Sequence, residues 1–394
     1  MYQRSEYKLI KSRLEEPRRF IQVVMGPRQI GKSTVVKQVV QDIAEPYQFF
    51  SADNIPASNS NWLSNCWSAA RSLMTNQGLD SMIIIIDEIQ KIANWSEAVK
   101  KEWDDDSFHN RNIKLLLLGS SRVLLEKGLA DSLAGRYEEI RMSHWSFPEM
   151  RDCFGFSLDE YLFYGGYPGA APLINDPDRF EQYIQSAIID ASINKDILMN
   201  TPISKPALLR QTFELGAAYS GSLLSLTKML GALQDAGNTS TIAGYLNVLG
   251  DSGLLSGLQK FSIDLARRKA SIPKLQVYNN ALKTIYEPLT LKDAVMNRKA
   301  WGHIAESGIG AFILNEAFKK RIEVFYWRDR NNEVDFVLRK KNSVVAIEIK
   351  SNAEKKTEGL DKFKEMFNPK EAFIVGDGGL KTSDFLEMDL RALF

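Results

Sequence analysis

Gly26-Pro-Arg-Gln-Ile-Gly-Lys-Ser-Thr34 sets the fold class of the chain. It satisfies G-x-x-x-x-G-K-[ST], in which glycines let backbone N–H groups close on phosphate oxygens. Gly26, Pro27, Arg28, Gln29, Ile30, Gly31, Lys32, Ser33 and Thr34 are therefore candidate nucleotide contacts. Lys32 has the length to reach the β- and γ-phosphates, and the Ser33 hydroxyl can take one Mg²⁺ position. The flanks fit the motif. Phe20–Met25 is a short β-rich apolar run, and Val35–Val40 continues as a helix. Strand, glycine loop and helix start form the context that this loop requires.

The same sheet can be followed outward. Glu6–Glu16 reads as a lead-in helix, and Tyr47–Phe50 as a second strand. Trp62 and Trp67 are expected in the core. Ser81-Met-Ile-Ile-Ile-Ile-Asp-Glu88 is an unbroken aliphatic run, as expected of a parallel strand buried on both faces. It ends in two carboxylates. Asp87 is placed to hold Mg²⁺ through water and Glu88 to polarise the attacking water. A solvated acidic turn is the plainer alternative. Lys114–Gly119 is another buried strand, ending at Ser120 and Ser121. Ligands of α/β sheets bind beyond the carboxyl ends of the strands. Ser120 there can meet the γ-phosphate or the attacking water, or it can cap the next helix. Arg122–Leu133 reads as that helix, Ala134-Gly135 as its end, and Tyr137–Met142 as a strand preceded by Arg136.

This order of parts resembles the AAA-type ATPases. In that superfamily an arginine at the place of Arg136 often reaches a neighbouring subunit's γ-phosphate. The resemblance thus implies an arginine finger and a homo-oligomer. Read from the residues alone, Arg136 is equally a surface arginine paired with Glu138 or Glu139. Gly-Pro-Arg-Gln-x-Gly-Lys-Ser, Asp-Glu-Ile-Gln, Gly-Arg, Ser-Phe-x-Glu and Gly-Gly-Tyr-Pro together resemble one bacterial and archaeal family. Its members are AAA-type ATPases with a C-terminal domain of unknown function that carries a restriction-endonuclease-like core.

The expected architecture is α/β, in three parts: an AAA-type P-loop ATPase domain with a parallel sheet (1–150), a winged-helix-like helical domain (151–270) and an α/β restriction-endonuclease-like domain (271–394). In the middle part Ala207–Tyr219, Leu223–Leu233 and Ser240–Gly250 read as helices and Leu254–Phe261 as a wing strand. Thr239–Gly253 contains no Lys or Arg, so its helix is a poor reader of DNA, and a structural or protein-contact role is favoured. Only Arg267-Arg-Lys269 supplies local positive charge. In the last part Ile304–Lys320 is helical, with Ile309, Phe312, Ile313 and Phe318 broadly along one side. Glu323–Trp327, Glu333–Leu338 and Val344–Ile349 are short β-rich runs, Lys355–Phe367 is a helix and Ala372–Val375 a strand. Strand periodicity places Glu348 and Lys350 on one face and Ile349 on the other. Asp335 on the adjacent strand can lie beside them. Two carboxylates can share Mg²⁺ while a lysine orients or deprotonates water. The resemblance adds Glu306 as a further metal ligand. The plainer alternative is surface salt bridging on a charged sheet edge.

Composition bounds these expectations. In 394 residues, 50 Lys and Arg nearly cancel 49 Asp and Glu, so net charge makes no case for membrane or nucleic acid as the default partner. Cys66 and Cys153 are too few and too far apart for a disulfide framework. No signal peptide or membrane-spanning run is visible, which leads to an expectation of a cytoplasmic protein. The function expected is Mg²⁺-dependent ATP binding and hydrolysis, coupled to or gating a nuclease-like domain that acts on DNA or RNA. The alternative is an ATP-controlled switch or scaffold whose C-terminal domain binds a partner without cutting it. A P-loop kinase is a third reading, opposed by Asp87-Glu88 at a strand end.

Overall fold

The computed structural model describes residues 1–394 except 1, 60, 121–124, 126–127, 131, 200, 234–236, 265–267, 269–270 and 351–357. Ser121, the start of the expected helix Arg122–Leu133, Arg267, Lys269 and the start of the expected helix Lys355–Phe367 lie outside the described residues. The chain forms two compact units, Met1–Met142 and Ser143–Phe394. This differs from three expected domains.

The first unit is built on five strands: β1 (Ile21–Met25), β2 (Tyr47–Ser51), β3 (Met82–Asp87), β4 (Ile113–Gly119) and β5 (Tyr137–Arg141). They pair in parallel in the order β2-β3-β4-β1-β5. The aliphatic runs explain the arrangement. Along β3, Met82, Ile84 and Ile86 enter one core with Trp67 and Trp103, while Ile83 and Ile85 enter another with Val36 and Val39. Side chains that alternate into two apolar layers need helices on both faces. Asn61–Gln77 and Trp95–Phe108 cover one face, and Glu6–Glu15 and Lys32–Gln41 the other. All five carboxyl ends then lie along one edge.

In the second unit the helices Pro206–Ala218, Leu226–Ala232 and Thr239–Asp251 share a core with β6 (Leu255–Leu258) and β7 (Lys274–Val277). The expected helix Leu223–Leu233 begins later because the Ser225 hydroxyl accepts the Lys228 N–H as its cap and Leu223 bridges Lys274. The antiparallel strands β6 and β7 straddle residue 270, so a domain boundary there would divide a paired sheet. Helix Pro177–Tyr183 continues as π-helix through Ile184–Asp190 and Ser192–Leu198.

The remaining strands are β8 (Glu323–Asp329), β9 (Asn332–Lys340), β10 (Ser343–Lys350) and β11 (Glu371–Gly376), ordered β11-β10-β9-β8. β8–β9 and β9–β10 are antiparallel, and β10–β11 is parallel. Helix Glu358–Phe367 packs Leu360 and Phe363 on this sheet. The long helix Arg298–Lys320 is buried throughout Ser307–Ala317 rather than along one stripe. Gly310 makes that possible: a Cβ there would lie 2.3 Å from Gln276 Oε1 and 2.7 Å from the Phe336 ring. Among the described residues no helix is long and apolar enough to cross a membrane.

Candidate functional site

The loop after β1 leads into helix Lys32–Gln41. Gly26 is required by close approach, because a Cβ would sit 2.2 Å from the Met142 carbonyl oxygen. Gly31 caps the helix at φ 88°, and Gln29 also has positive φ. The first N–H groups of a helix have no partner within it, so those following Gly31 are available to an anion. Ile30 is buried and anchors the loop. Lys32 is buried, and its Nζ donates to the Gly26 carbonyl at 3.0 Å and the Pro27 carbonyl at 2.8 Å.

The strand order puts the other groups beside it. The Ser33 hydroxyl donates to Asp87 Oδ2 at 2.6 Å, and Asp87 Oδ1 accepts the Glu88 N–H at 3.0 Å. Glu88 turns the chain at φ 55°. Its Oε2 accepts from Gln90 Nε2 at 2.6 Å and from the Ser120 hydroxyl at 3.1 Å. β4 lies between β1 and β3, so Ser120 at its end falls between the loop and the two carboxylates. Gln90 also donates to Ser120, at 3.3 Å. It reaches in because Gly119 has no side chain; a Cβ there would be 2.4 Å from Gln90 Oε1. Gln90 was given no role from the sequence, although it stands in the quoted Asp-Glu-Ile-Gln. The Ser33 hydroxyl and Asp87 carboxylate are hard oxygen donors of the kind Mg²⁺ takes, and their adjacency fits one ion with phosphate and water oxygens completing its shell.

Arg136 stands just before β5, at the amino edge of the sheet, whereas the loop is at the carboxyl edge. Its Nε and Nη2 donate to Asp104 at 2.9 and 3.2 Å. That partner is neither of the two glutamates weighed from the sequence: Glu139 pairs with Arg141 at 2.9 Å and Glu138 accepts from Gln22 at 3.2 Å. From this edge Arg136 lies away from the phosphate loop of its own chain.

The second constellation is in the β8–β11 sheet. The β9–β10 ladder runs to Phe336 opposite Ile347. One step further, Asp335 Oδ2 accepts the Ile349 N–H at 2.8 Å. Glu348 and Lys350 share a face, with Lys350 Nζ 3.7 Å from Glu348 Oε1. Between the carboxylates lies a residue the sequence did not single out. Lys274, on β7, is fully buried, and its Nζ is 2.8 Å from Glu306 Oε1 and 3.2 Å from Asp335 Oδ1. Burial pulls its pKa down, but Glu306 and Asp335 outweigh that and hold it above the ordinary lysine value. Burial pushes Glu306 and Glu333 up. It pushes Glu348 up to about 7, with Asp335 adding and Lys350 opposing.

The Mg²⁺ expected on Glu306, Asp335 and Glu348 does not fit this arrangement. The Lys274 ammonium occupies one oxygen each of Glu306 and Asp335 and the Ile349 N–H the other oxygen of Asp335, while Glu348 Oε2 is buried without a hydrogen-bond partner among the described residues. Among the described residues no group of three or more His, Cys, Asp or Glu side chains is placed to hold a metal ion. The physical reason is that a buried ammonium compensates converging carboxylates as a divalent ion would.

Comparison with known proteins bears on the fold of the first unit. Residues 18–151 match the profile of an AAA domain. Residues 155–291 and 301–385 match two domains of unknown function, DUF8612 and DUF4143. An uncharacterised protein of Haemophilus influenzae is 23% identical over 380 residues, covering 91% of this chain and 89% of its own. One from Methanocaldococcus jannaschii is 23% identical over 346 residues, covering 81% of this chain and 72% of its own. A solved variant of Thermotoga maritima RuvB is 14% identical, with a TM-score of 0.34, covering 64% of this chain and 85% of its own. A structure describing katanin self-assembly is 17% identical, with a TM-score of 0.27, covering 42% of this chain and 56% of its own. The five-stranded parallel sheet with its phosphate loop is thus an AAA-type P-loop domain.

Proposed function

We propose that the chain binds ATP with Mg²⁺ at Gly26–Thr34, hydrolyses it, and uses the cycle to control binding of a partner by its C-terminal region. The supporting observation is the network Ser33–Asp87–Glu88–Gln90–Ser120 at the carboxyl edge of the sheet. In it Lys32 and the loop N–H groups take the β- and γ-phosphates. Ser33 and Asp87 hold the Mg²⁺, which when bound neutralises phosphate charge. Glu88, oriented by Gln90 and Ser120, accepts the proton of the attacking water. Ser120 sits where it can also meet the γ-phosphate. Arg136 would act from one subunit on the next after exchanging Asp104 for phosphate, and the active form is then a homo-oligomer.

For the C-terminal region we favour binding over cutting. Lys274 supports this, since it compensates Glu306 and Asp335 without an ion. A nuclease using Asp335, Glu348 and Lys350 is the rival within the restriction-endonuclease-like resemblance. Pro206–Leu258 has the helix–helix–helix–strand order of a winged helix, and its Lys- and Arg-free third helix suits a protein contact.

The test is Mg²⁺-dependent phosphate release from ATP by the full chain, run with Glu88→Gln and with labelled DNA and RNA present. Release by the wild type, loss in Glu88→Gln and intact strands are expected. Equal release by Glu88→Gln would refute the role of Glu88. Divalent-dependent cutting that Asp335→Asn abolishes would restore the nuclease.

A further inference from the structure

The second unit contains a cleft of about 870 Å³. Its walls are Lys260–Ser262 after β6, Ser271–Ile272 before β7, Tyr326–Arg330 at the end of β8, Met366–Phe367, and the start of helix Leu226–Ala232. Its charge is one-sided. Lys228, Lys260, Arg328 and Arg330 line it. Asp329 is the only carboxylate among its described lining residues, and Lys362 already pairs with Asp329. Among the described residues none of the four cations is in an ion pair, and Lys228, Arg328 and Arg330 are exposed.

Beneath the cations the lining is apolar and aromatic: Phe261, Tyr326 and Trp327 are buried and back the half-buried Phe367, which with Met366 and Ile272 forms the open floor. These rings are fixed in place. Phe261 packs edge-on to Phe325 and Phe367, and the Tyr326 hydroxyl donates to the Ile272 carbonyl at 2.5 Å. Phe367 is half-buried, and Met366 and Ile272 are exposed beside it.

We propose that this cleft binds single-stranded nucleic acid. This rests on the reading that the C-terminal region binds a partner, and it gives that partner a chemical class. A single strand combines a flexible line of phosphates with flat apolar bases, and proteins hold it with a cationic groove and an aromatic floor. A duplex turns its bases inward and offers mainly phosphates, so it would leave the apolar floor unused. A mononucleotide would neutralise only part of the four-cation rim. The near-zero net charge of the chain is no objection, because affinity follows local phosphate contacts.

The experiment uses the full-length protein and fluorescence anisotropy. The probes are a fluorescein-labelled oligo(dT) of about 20 nucleotides and a duplex of the same length, a span that covers the usual site sizes. Both are titrated over a salt series with wild type, Lys228→Glu, Arg328→Glu and Lys32→Ala. Circular dichroism checks the fold of each, and phosphate release from ATP is read in parallel. The single strand should bind more tightly than the duplex. Each Glu variant should weaken it about tenfold or more and lower the salt slope by about 0.7 per lost phosphate contact. Lys32→Ala should bind the strand as wild type does. No detectable strand binding at low salt, duplex preference, or unchanged affinity in both folded Glu variants would overturn the proposal. So would loss of strand binding in Lys32→Ala, since the strand would then occupy the phosphate loop. Absence of phosphate release alongside the expected anisotropy would refute only the ATPase.

Discussion

Lys32 and Lys274 are both buried lysines, and the partners described for them differ in kind. The Lys32 ammonium rests on two backbone carbonyls, and Asp87 and Glu88 are held by hydroxyls, an amide and a backbone N–H. The Lys274 ammonium is bonded to the carboxylates themselves. Neutral carbonyls release an ammonium readily to an incoming phosphate, because the charge is compensated more strongly afterwards than before. Separating a buried ammonium from two carboxylates leaves uncompensated charge in a low dielectric. One cluster is built to receive an anion with its cation. In the other, the chain itself supplies the cation that compensates Glu306 and Asp335. Similar residue types therefore support opposite conclusions about a metal.

The largest effect that could break this contrast is in turnover. Glu88→Gln should reduce phosphate release by about 10²–10⁴-fold, the usual contribution of a positioned general base, with nucleotide affinity retained. Asp335→Asn should leave the rate as in wild type. A large fall in Asp335→Asn would mean that the second cluster takes part in hydrolysis.

Next is stability. Lys274→Met should cost about 3–5 kcal/mol in calorimetric unfolding, because it strands Glu306 and Asp335 as buried charges. Mg²⁺ should then raise the melting temperature of the variant more than that of wild type, since the ion can enter where the ammonium was. An unchanged melting temperature would show that Lys274 does not compensate the cluster.

A smaller effect sharpens the contrast through pH. The Glu348 carboxyl is raised from the usual 4.5 to about 7, mainly by burial. The native state then binds more protons than the unfolded chain between these values, so its stability falls as pH rises through that window. Glu348→Gln should remove this slope and gain about 1–3 kcal/mol above pH 7, with little change below pH 4.5. A variant that melts alongside wild type at both ends would contradict the raised value. Arg136→Ala should change stability least, by about 1 kcal/mol or less, because its pair with Asp104 is partly exposed. Mixed with Glu88→Gln it should recover some ATPase activity if the arginine works between subunits.

The phosphate-loop sheet was legible because each of its features is local in sequence. Gly26, Gly31, Lys32 and Ser33 are contiguous, and the runs Met82–Ile86 and Leu115–Leu118 state their burial on both faces directly. The Glu348–Lys350 alternation was equally readable. Lys274 was not, since its partners lie 32 and 61 positions away and only the pairing of β6 with β7 brings it in. Nothing in Pro-Lys-Leu-Gln marks a buried ammonium. Gln90 was hidden in a similar way, because its access depends on Gly119 of another strand. The π-helix does have a sequence signal: Ile184, Ile188, Ile189, Ile193 and Ile197 recur at wider spacing than an α-helical face requires. The basic cleft draws its cations from three separate stretches, so no charge run announces it.

The central contrast can be tested by counting Mn²⁺ bound to the full chain by electron paramagnetic resonance, with a non-hydrolysable ATP analogue present. The account gives a single ion per chain, lost in Lys32→Ala and Asp87→Asn and kept in Asp335→Asn. A second ion that disappears in Asp335→Asn would contradict it, and would return the β8–β11 cluster to metal chemistry.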